Sequence, residues 1–350
     1  MDIHAHEDRM ARRLSGHLLL LLPFLLGALF VIAGCDHEGA RSTIAPVSDF
    51  GRSIQNIYVQ IFWWTVGIFI VVESILLYAI LKYRVKTGSP SHETPEQVHG
   101  HTGVEIAWTI LPAVILVLIA IPTIRTIFAI AAEPPANALQ IKVSGQQWFW
   151  HFEYPDLGIR TANELHVPLG RPVSIALHSN DVIHSFWVPR IGGKRDLVPG
   201  RTNRISFTAD KAGYYPGQCA EFCGDSHALM RMDLIVDRPE EFERWVEAQK
   251  EPAVAPTEPL ASEGATAFLS TGCIACHRIA GTPAQSPVGP DLTHVGSRMH
   301  LASGILKNTP ENMARWIRDP QSVKPGAKMV KLPVTDEQVK AIVAYLQGLK

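Results

Sequence analysis

The chain lacks any appreciable net charge. Its 350 residues carry a formal charge of -1 at pH 7, so no global field marks it for nucleic acid or another strongly charged partner. Spare thiols are missing too. Of the five cysteines, Cys219 and Cys223 share one loop, Cys273 and Cys276 share a Cys-x-x-Cys-His run, and Cys35 ends an apolar leader. That leaves no pair for a structural disulfide, and the thiols are read as serving chemistry and attachment. Membrane-length apolar runs are confined to the first 130 residues. The hydrophobic fraction of 47% is ordinary, but its concentration near the N-terminus is a membrane signature that must be separated from an export signal. The length leaves room for two or three domains.

The chemistry is densest in QCAEFCGDSHALM, residues 218–230, which holds two thiols, an imidazole and a thioether. Soft sulfur ligands with imidazole select copper or zinc, and Met230 tilts the choice toward copper, because a thioether gains little from zinc and much from Cu(I). His184, after a strand-like run upstream, would complete the set. Two plainer readings compete: a disulfide between Cys219 and Cys223, or a structural zinc site.

CAEFCGDSHALM resembles the binuclear copper (CuA) loop of cytochrome c oxidase subunit II, and DVIHSFWVP resembles that family's segment carrying the first histidine. The resemblance implies that Cys219 and Cys223 bridge two copper ions, that His184 and Met230 complete one, and that His227 with the Glu221 carbonyl completes the other. It also implies a magnesium ion at the subunit interface through the Glu221 side chain.

Arg9, Arg12 and Arg13 precede an apolar run over residues 18–33, and Ile32-Ala33-Gly34-Cys35 follows. These are the parts of a secretory signal over 1–34. The ending further resembles a bacterial lipobox, which implies cleavage before Cys35 and lipidation of its thiol; an uncleaved helix is the competing reading. A hairpin over 35–135 follows, with spans at about 61–83 and 104–130, each long enough for the roughly 20 residues a bilayer requires. Lys82, Arg84 and Lys86 lie between the spans, so that connection is expected in the cytoplasm and both ends of the mature chain outside. Glu73 reads as a helix-interface residue. VEIAWTILPAVIL resembles the family's second span, and this makes Glu105 the entrance of a proton path into the catalytic subunit.

From 137 to 238 short runs (LQIKV, WFWHFEY, VSIALH, RISFT, YYPGQ, MDLIV) alternate with Pro, Gly and Asn, the pattern of an all-β sandwich or barrel. The resemblance implies a Greek-key cupredoxin. Within it GQQWFWHFEY matches the family's aromatic stretch, which implies that Trp148 is exposed and admits the electron from cytochrome c; a core role is the alternative. GGKRDLVPGR implies that Lys194 and Asp196 hold the interface with the catalytic subunit. A charged helix over 239–250 and the segment EPAVAPTEP read as a semi-extended tether, 239–260 in all.

CIACH, residues 273–277, is the c-type haem attachment signature, with Cys273 and Cys276 forming thioethers and His277 an axial ligand. No βαβ pattern supports the thioredoxin-like competitor. A second axial ligand is needed, and methionine raises the potential. Among Met299, Met313 and Met329, only Met329 follows a Pro-Gly turn, in KPGAKM; Met313 falls on an amphipathic helix and reads as core. A terminal helix presenting Val339, Ile342, Val343, Tyr345 and Leu346 would pack on a helix near 265–269. Residues 261–350 thus read as a small all-α cytochrome c domain.

The expected whole is a multidomain membrane protein of the bacterial inner membrane, with copper and haem domains on the periplasmic side. Its partners would be catalytic subunit I, further membrane subunits, and a cytochrome c or cytochrome bc complex as donor. No six-histidine constellation sits on its membrane helices, so it would not reduce oxygen alone. Alternatives are the copper subunit of a nitric oxide reductase, or a copper-delivery lipoprotein. The quinol-oxidase version of subunit II lacks the copper ligands.

Overall fold

The computed structural model describes residues 39–84, 97 and 99–350. The leader, the lipobox with Cys35, and Lys86 in the inter-helix connection lie outside the described residues. Two long helices come first, α1 (Asp49–Tyr83) and α2 (Thr102–Ala131). The second matches its expected span. The first begins 12 residues before the expected span at 61, so the helix runs on beyond the stretch read as crossing the bilayer. Arg52, Ser53, Gln55, Asn56 and Gln60 interrupt the apolar run, but none of them breaks a helix. The true start is a cap, where the Ser48 hydroxyl accepts the Gly51 N–H at 2.9 Å.

Ten strands form two five-stranded sheets. One has the order β3-β2-β1-β5-β8 and the other β4-β10-β9-β6-β7. The six expected runs are β1 (Leu139–Gln146), β2 (Phe149–Tyr154), β5 (Pro172–Ser179), β8 (Asn203–Thr208), β9 (Gly213–Cys219) and β10 (Arg231–Asp237). Four shorter strands join them: β3 (Ile159–Ala162), β4 (Glu164–Pro168), β6 (His184–Trp187) and β7 (Arg195–Leu197). Alternation along β2 turns Trp150, Phe152 and Tyr154 inward, against Leu165, Val167, Ile175 and Leu177 of the same core. Each such side chain contributes about 1.5–3 kcal/mol on burial. Helix α3 (Pro239–Lys250) closes one flank, with Trp245 stacked on His166 at 4.4 Å.

Past the linker, α4 (Pro259–Ser270), α5 (Pro310–Arg318), α6 (Pro320–Val323) and α7 (Asp336–Gly348) enclose a second core. Helix α7 starts on a Thr335/Gln338 capping box and buries the five residues expected of it. Its crossing with α4 is very close. A methyl on Gly264 would come within 1.9 Å of the Ala341 carbonyl, so only glycine permits it. A small hairpin, β11 (His300–Leu301) with β12 (Leu306–Lys307), projects toward the sandwich.

Candidate functional site

β9 ends at Cys219 and β10 begins at Arg231. Residues 220–230 therefore connect an antiparallel pair, closed by the Cys219 N–H on the Met230 carbonyl at 2.8 Å. β6 lies beside β9, with Phe186 opposite Cys219, and so delivers His184 to the loop. Gly224 turns the loop at a φ of +108°, and a side chain there would strike Trp148.

All six residues singled out as metal ligands converge. The Cys219 and Cys223 sulfurs are 3.8 Å apart as separate thiols, so no disulfide joins them. His184 Nδ1 is 3.9 Å from Cys219 Sγ, and His227 Nδ1 is 3.6 Å from Cys223 Sγ. Met230 Sδ lies 4.0 Å from Cys223 Sγ, and the Glu221 carbonyl accepts from Cys219 Sγ at 3.3 Å. His184 and Met230 are fully buried.

The electrostatics ask for a cation. Hydrogen bonding from Cys223 holds the Cys219 thiol down to about 3 against the opposing effect of burial, with His184 adding to the effect. Cys223, beside that anion, is pushed up. Only a metal charge would remove both protons together. Burial opposes the charged form of His184, but Cys219 and Asp181 outweigh it and raise its pKa. Asp181 Oδ1 sits 2.9 Å from His184 Nε2, an outer carboxylate that orients the ring so that Nδ1 faces the sulfurs. Two thiols, two imidazoles, a thioether and a carbonyl form a donor set suited to copper.

The second locus is a cavity of about 300 Å³ lined by Cys273, Cys276, His277, Met313, Met329 and, from the sandwich, Trp148. The His277 ring bonds the Pro290 carbonyl through Nδ1 at 2.8 Å, which leaves Nε2 as a ligand. Burial lowers its pKa, which disfavours the charged ring. These residues fit a haem bound through CIACH. Met329 is half-buried and Met313 buried on the cavity wall, whereas Met299 is exposed and not among the lining residues.

Trp148, read as an exposed entry residue with a core role as the alternative, is only 8% exposed and lines the cavity together with residues of the fused domain. Its indole N–H donates to the Cys223 carbonyl at 3.0 Å. Its ring edge would meet a side chain at Gly326, in the loop that leads to Met329, at 3.0 Å. One residue therefore touches both loci. Lys194 Nζ reaches the copper loop at the Ala220 carbonyl, 3.2 Å away, and Asp196 pairs with Ser185 across β6 and β7. Glu105 stands in the first turn of α2, bonded to the His101 N–H at 3.2 Å, and Glu73 lies exposed on α1. Sequence reasoning missed Asp181, three residues before His184, and Lys324, for which no local signal exists.

Membrane-length helices carrying a thiolate cupredoxin site, with a CxxCH crevice folded against it, define a membrane-anchored redox protein that bears its own cytochrome. The comparisons with known proteins agree. Residues 47–126 match the transmembrane domain of cytochrome c oxidase subunit II, residues 158–237 its periplasmic domain, and residues 261–350 cytochrome c. The chain is 40% identical over 335 residues to cytochrome c oxidase subunit 2 of Alkalihalophilus pseudofirmus, spanning 94% of this chain and 96% of that one. It is 32% identical over 352 residues to cytochrome c oxidase subunit 2 of Bacillus subtilis, spanning 95% and 96%. The solved periplasmic domain of subunit II of cytochrome oxidase of Bradyrhizobium japonicum is 36% identical over 33% of this chain and 96% of its own, with a TM-score of 0.32. The chain belongs to the cytochrome c oxidase subunit II family, in a form with a C-terminal cytochrome c domain.

Proposed function

We propose that the chain is the electron-transfer subunit of a haem-copper oxidase, holding a covalent c-type haem and a binuclear copper centre for a catalytic subunit that reduces oxygen and translocates protons. Cys219 and Cys223 would bridge the two copper ions, with His184 and Met230 on one and His227 and the Glu221 carbonyl on the other. Cys273 and Cys276 would attach the haem, and His277 and Met329 would hold its iron. When bound, these groups supply successive one-electron redox stations.

The chain's own part is to hold its ligands still. Asp181 fixes the His184 ring, the Pro290 carbonyl fixes His277, and two rigid cores keep the loops in place, so little rearranges when charge moves. The observation that carries the reading is Trp148, packed on the copper loop on one side and the haem cavity on the other. It is well placed to receive electrons from the chain's own cytochrome domain. The donor, a cytochrome c or a bc complex, would then dock at the haem domain. Lys82 and Arg84 at the end of α1 support a cytoplasmic connection, which puts both redox domains on the periplasmic side. Glu105, on the connection side of α2, is suited to proton entry from within, and the Glu221 side chain to magnesium at the subunit interface.

Metal and haem analysis with electron paramagnetic resonance on the isolated full-length chain tests this. Two coppers per haem, with one unpaired electron spread over both copper nuclei, is the expected result. One copper with a localised signal, or zinc, would overturn it and favour copper delivery instead.

A further inference from the structure

Residues 251–258 join α3 to α4, and they dock early, with the Ala253 N–H donating to the Ala280 carbonyl at 2.9 Å. The linker therefore holds one edge of the haem domain near α3. Contacts away from that edge orient the domain on the copper loop.

Two donors from the haem domain converge on one acceptor of the copper domain. Lys324 Nζ donates to the Trp148 carbonyl at 2.5 Å, and Ser303 Oγ donates to the same oxygen at 2.8 Å. Lys324 and Ser303 are both buried. Lys324 forms no carboxylate pair in the structure; its other bond is to the Ala302 carbonyl at 3.4 Å. Ala302, Ser303 and Gly304 follow one another at φ values of 51°, 63° and 77°. Two non-glycine residues in the left-handed region are costly and persist where the surroundings over-determine them. The β11–β12 hairpin closes through this turn, and the other domain packs on its outer side. The Arg231 N–H, next to the ligand Met230, donates to the Ser303 carbonyl at 3.1 Å, and a side chain at Gly304 would meet Arg231 at 3.1 Å. The buried lysine and the left-handed turn, which closes the β11–β12 hairpin, thus also present polar groups to the carbonyls and amides of the other domain.

We propose that Lys324 and Ser303 form a two-donor clamp on the Trp148 carbonyl, and that this clamp sets the spacing between the haem crevice and the copper loop within the reach the docked linker allows. They are positioning residues, acting through Trp148. The clamp's role in electron delivery rests on the functional reading above, whereas its existence does not.

Two backbone amides report docking directly, because each bonds only across the boundary: Arg231 N–H to Ser303, and Met299 N–H to the Glu164 carboxylate at 2.8 Å. Two others serve as controls within a single domain, Asp233 N–H to the Asn163 carbonyl and Gly296 N–H to the Leu349 carbonyl. The experiment is hydrogen exchange on the full-length holo chain. Losing one buried hydrogen bond in Lys324→Met is expected to speed exchange at Arg231 and Met299 up to about tenfold, with the controls and both metal-site spectra unchanged. If Lys324 only supports its own domain, Gly296 accelerates and Arg231 does not, which overturns the clamp. Unchanged exchange at all four amides overturns it as well. Ser303→Ala keeps the Cβ and removes only the hydroxyl, so it gives the same reading where Lys324→Met fails to accumulate. Absent copper or haem spectra in the unmodified chain would refute the functional reading while leaving the exchange result to decide the clamp.

Discussion

Gly145 lies on β1 at the point where the first sheet passes the metal site. A methyl group there would stand 3.1 Å from His184 Cδ2, 3.2 Å from His184 Cγ and 3.1 Å from Leu197 Cδ2. None of these can swing aside, since His184 and Leu197 are both fully buried and Asp181 holds the far side of the ring. In Gly145→Ala the ring must therefore shift by a few tenths of an ångström, which exceeds the roughly 0.2 Å that a metal–ligand distance tolerates. Overpacking costs about 1–3 kcal/mol, and relief of glycine's entropy in a strand returns about 0.5–1 kcal/mol, so the apo chain should lose about 1 kcal/mol. The copper site should suffer more, with affinity reduced roughly 10- to 100-fold, as for lost support of a ligand. Copper titration followed by visible absorption and paramagnetic resonance, with denaturant unfolding of the apo chain alongside, measures both. An unaltered copper spectrum and affinity would show that the strand yields instead of the ring, and would refute the claim that β1 sets the His184 position.

Three further outcomes follow from the same geometry. Asp181→Asn removes the carboxylate from His184 and should weaken copper binding by roughly 10-fold or more; unchanged affinity would mean that packing alone orients the ring. Met329→Leu should abolish the low-spin haem spectrum, whereas a retained spectrum would move the axial role to Met313. Lys324 supplies a pH dependence, since burial pushes its pKa down from 10.5 to about 7. Between those values the unfolded chain holds a proton that the folded chain has released. Stability should therefore rise with pH from about 7 toward 10.5, by at most about 1.4 kcal/mol per unit. Denaturant unfolding at pH 7 and 9 checks this, and the same slope in Lys324→Met would assign it to another group.

The metal ligands were legible because the chemistry is local. Five of six lie within the twelve residues from Cys219 to Met230, and the haem motif is contiguous. The six longer strands showed through alternation, whereas β3, β4, β6 and β7, of three to five residues, are too short to establish a period. The start of α1 was hidden because hydropathy marks what suits lipid and is silent on a polar helix. What lay beyond reading was the domain contact. Lys324 and Trp148 are 176 residues apart, and no spacing rule connects a lysine in one domain to a backbone oxygen in another. The same blindness left open whether Trp148 lies on the surface or in a core.

The first turn of α1 is built into the sandwich rather than hung beneath it. Phe50 belongs to the sandwich core, the Ser48 hydroxyl bonds the Ile191 carbonyl at 2.5 Å, and Asp49 accepts the Thr208 N–H at 2.7 Å. With no slack residue between them, the helix acts as a mast and the sandwich as its fixed head. The polar stretch from 49 to 60 would raise that head by about 18 Å at the helical rise per residue. A membrane helix commonly leans about 20°, and here any such lean would carry the copper loop with it as one rigid piece. Bilayer thickness and the packing of neighbouring helices would then act on the height and aim of the electron port itself.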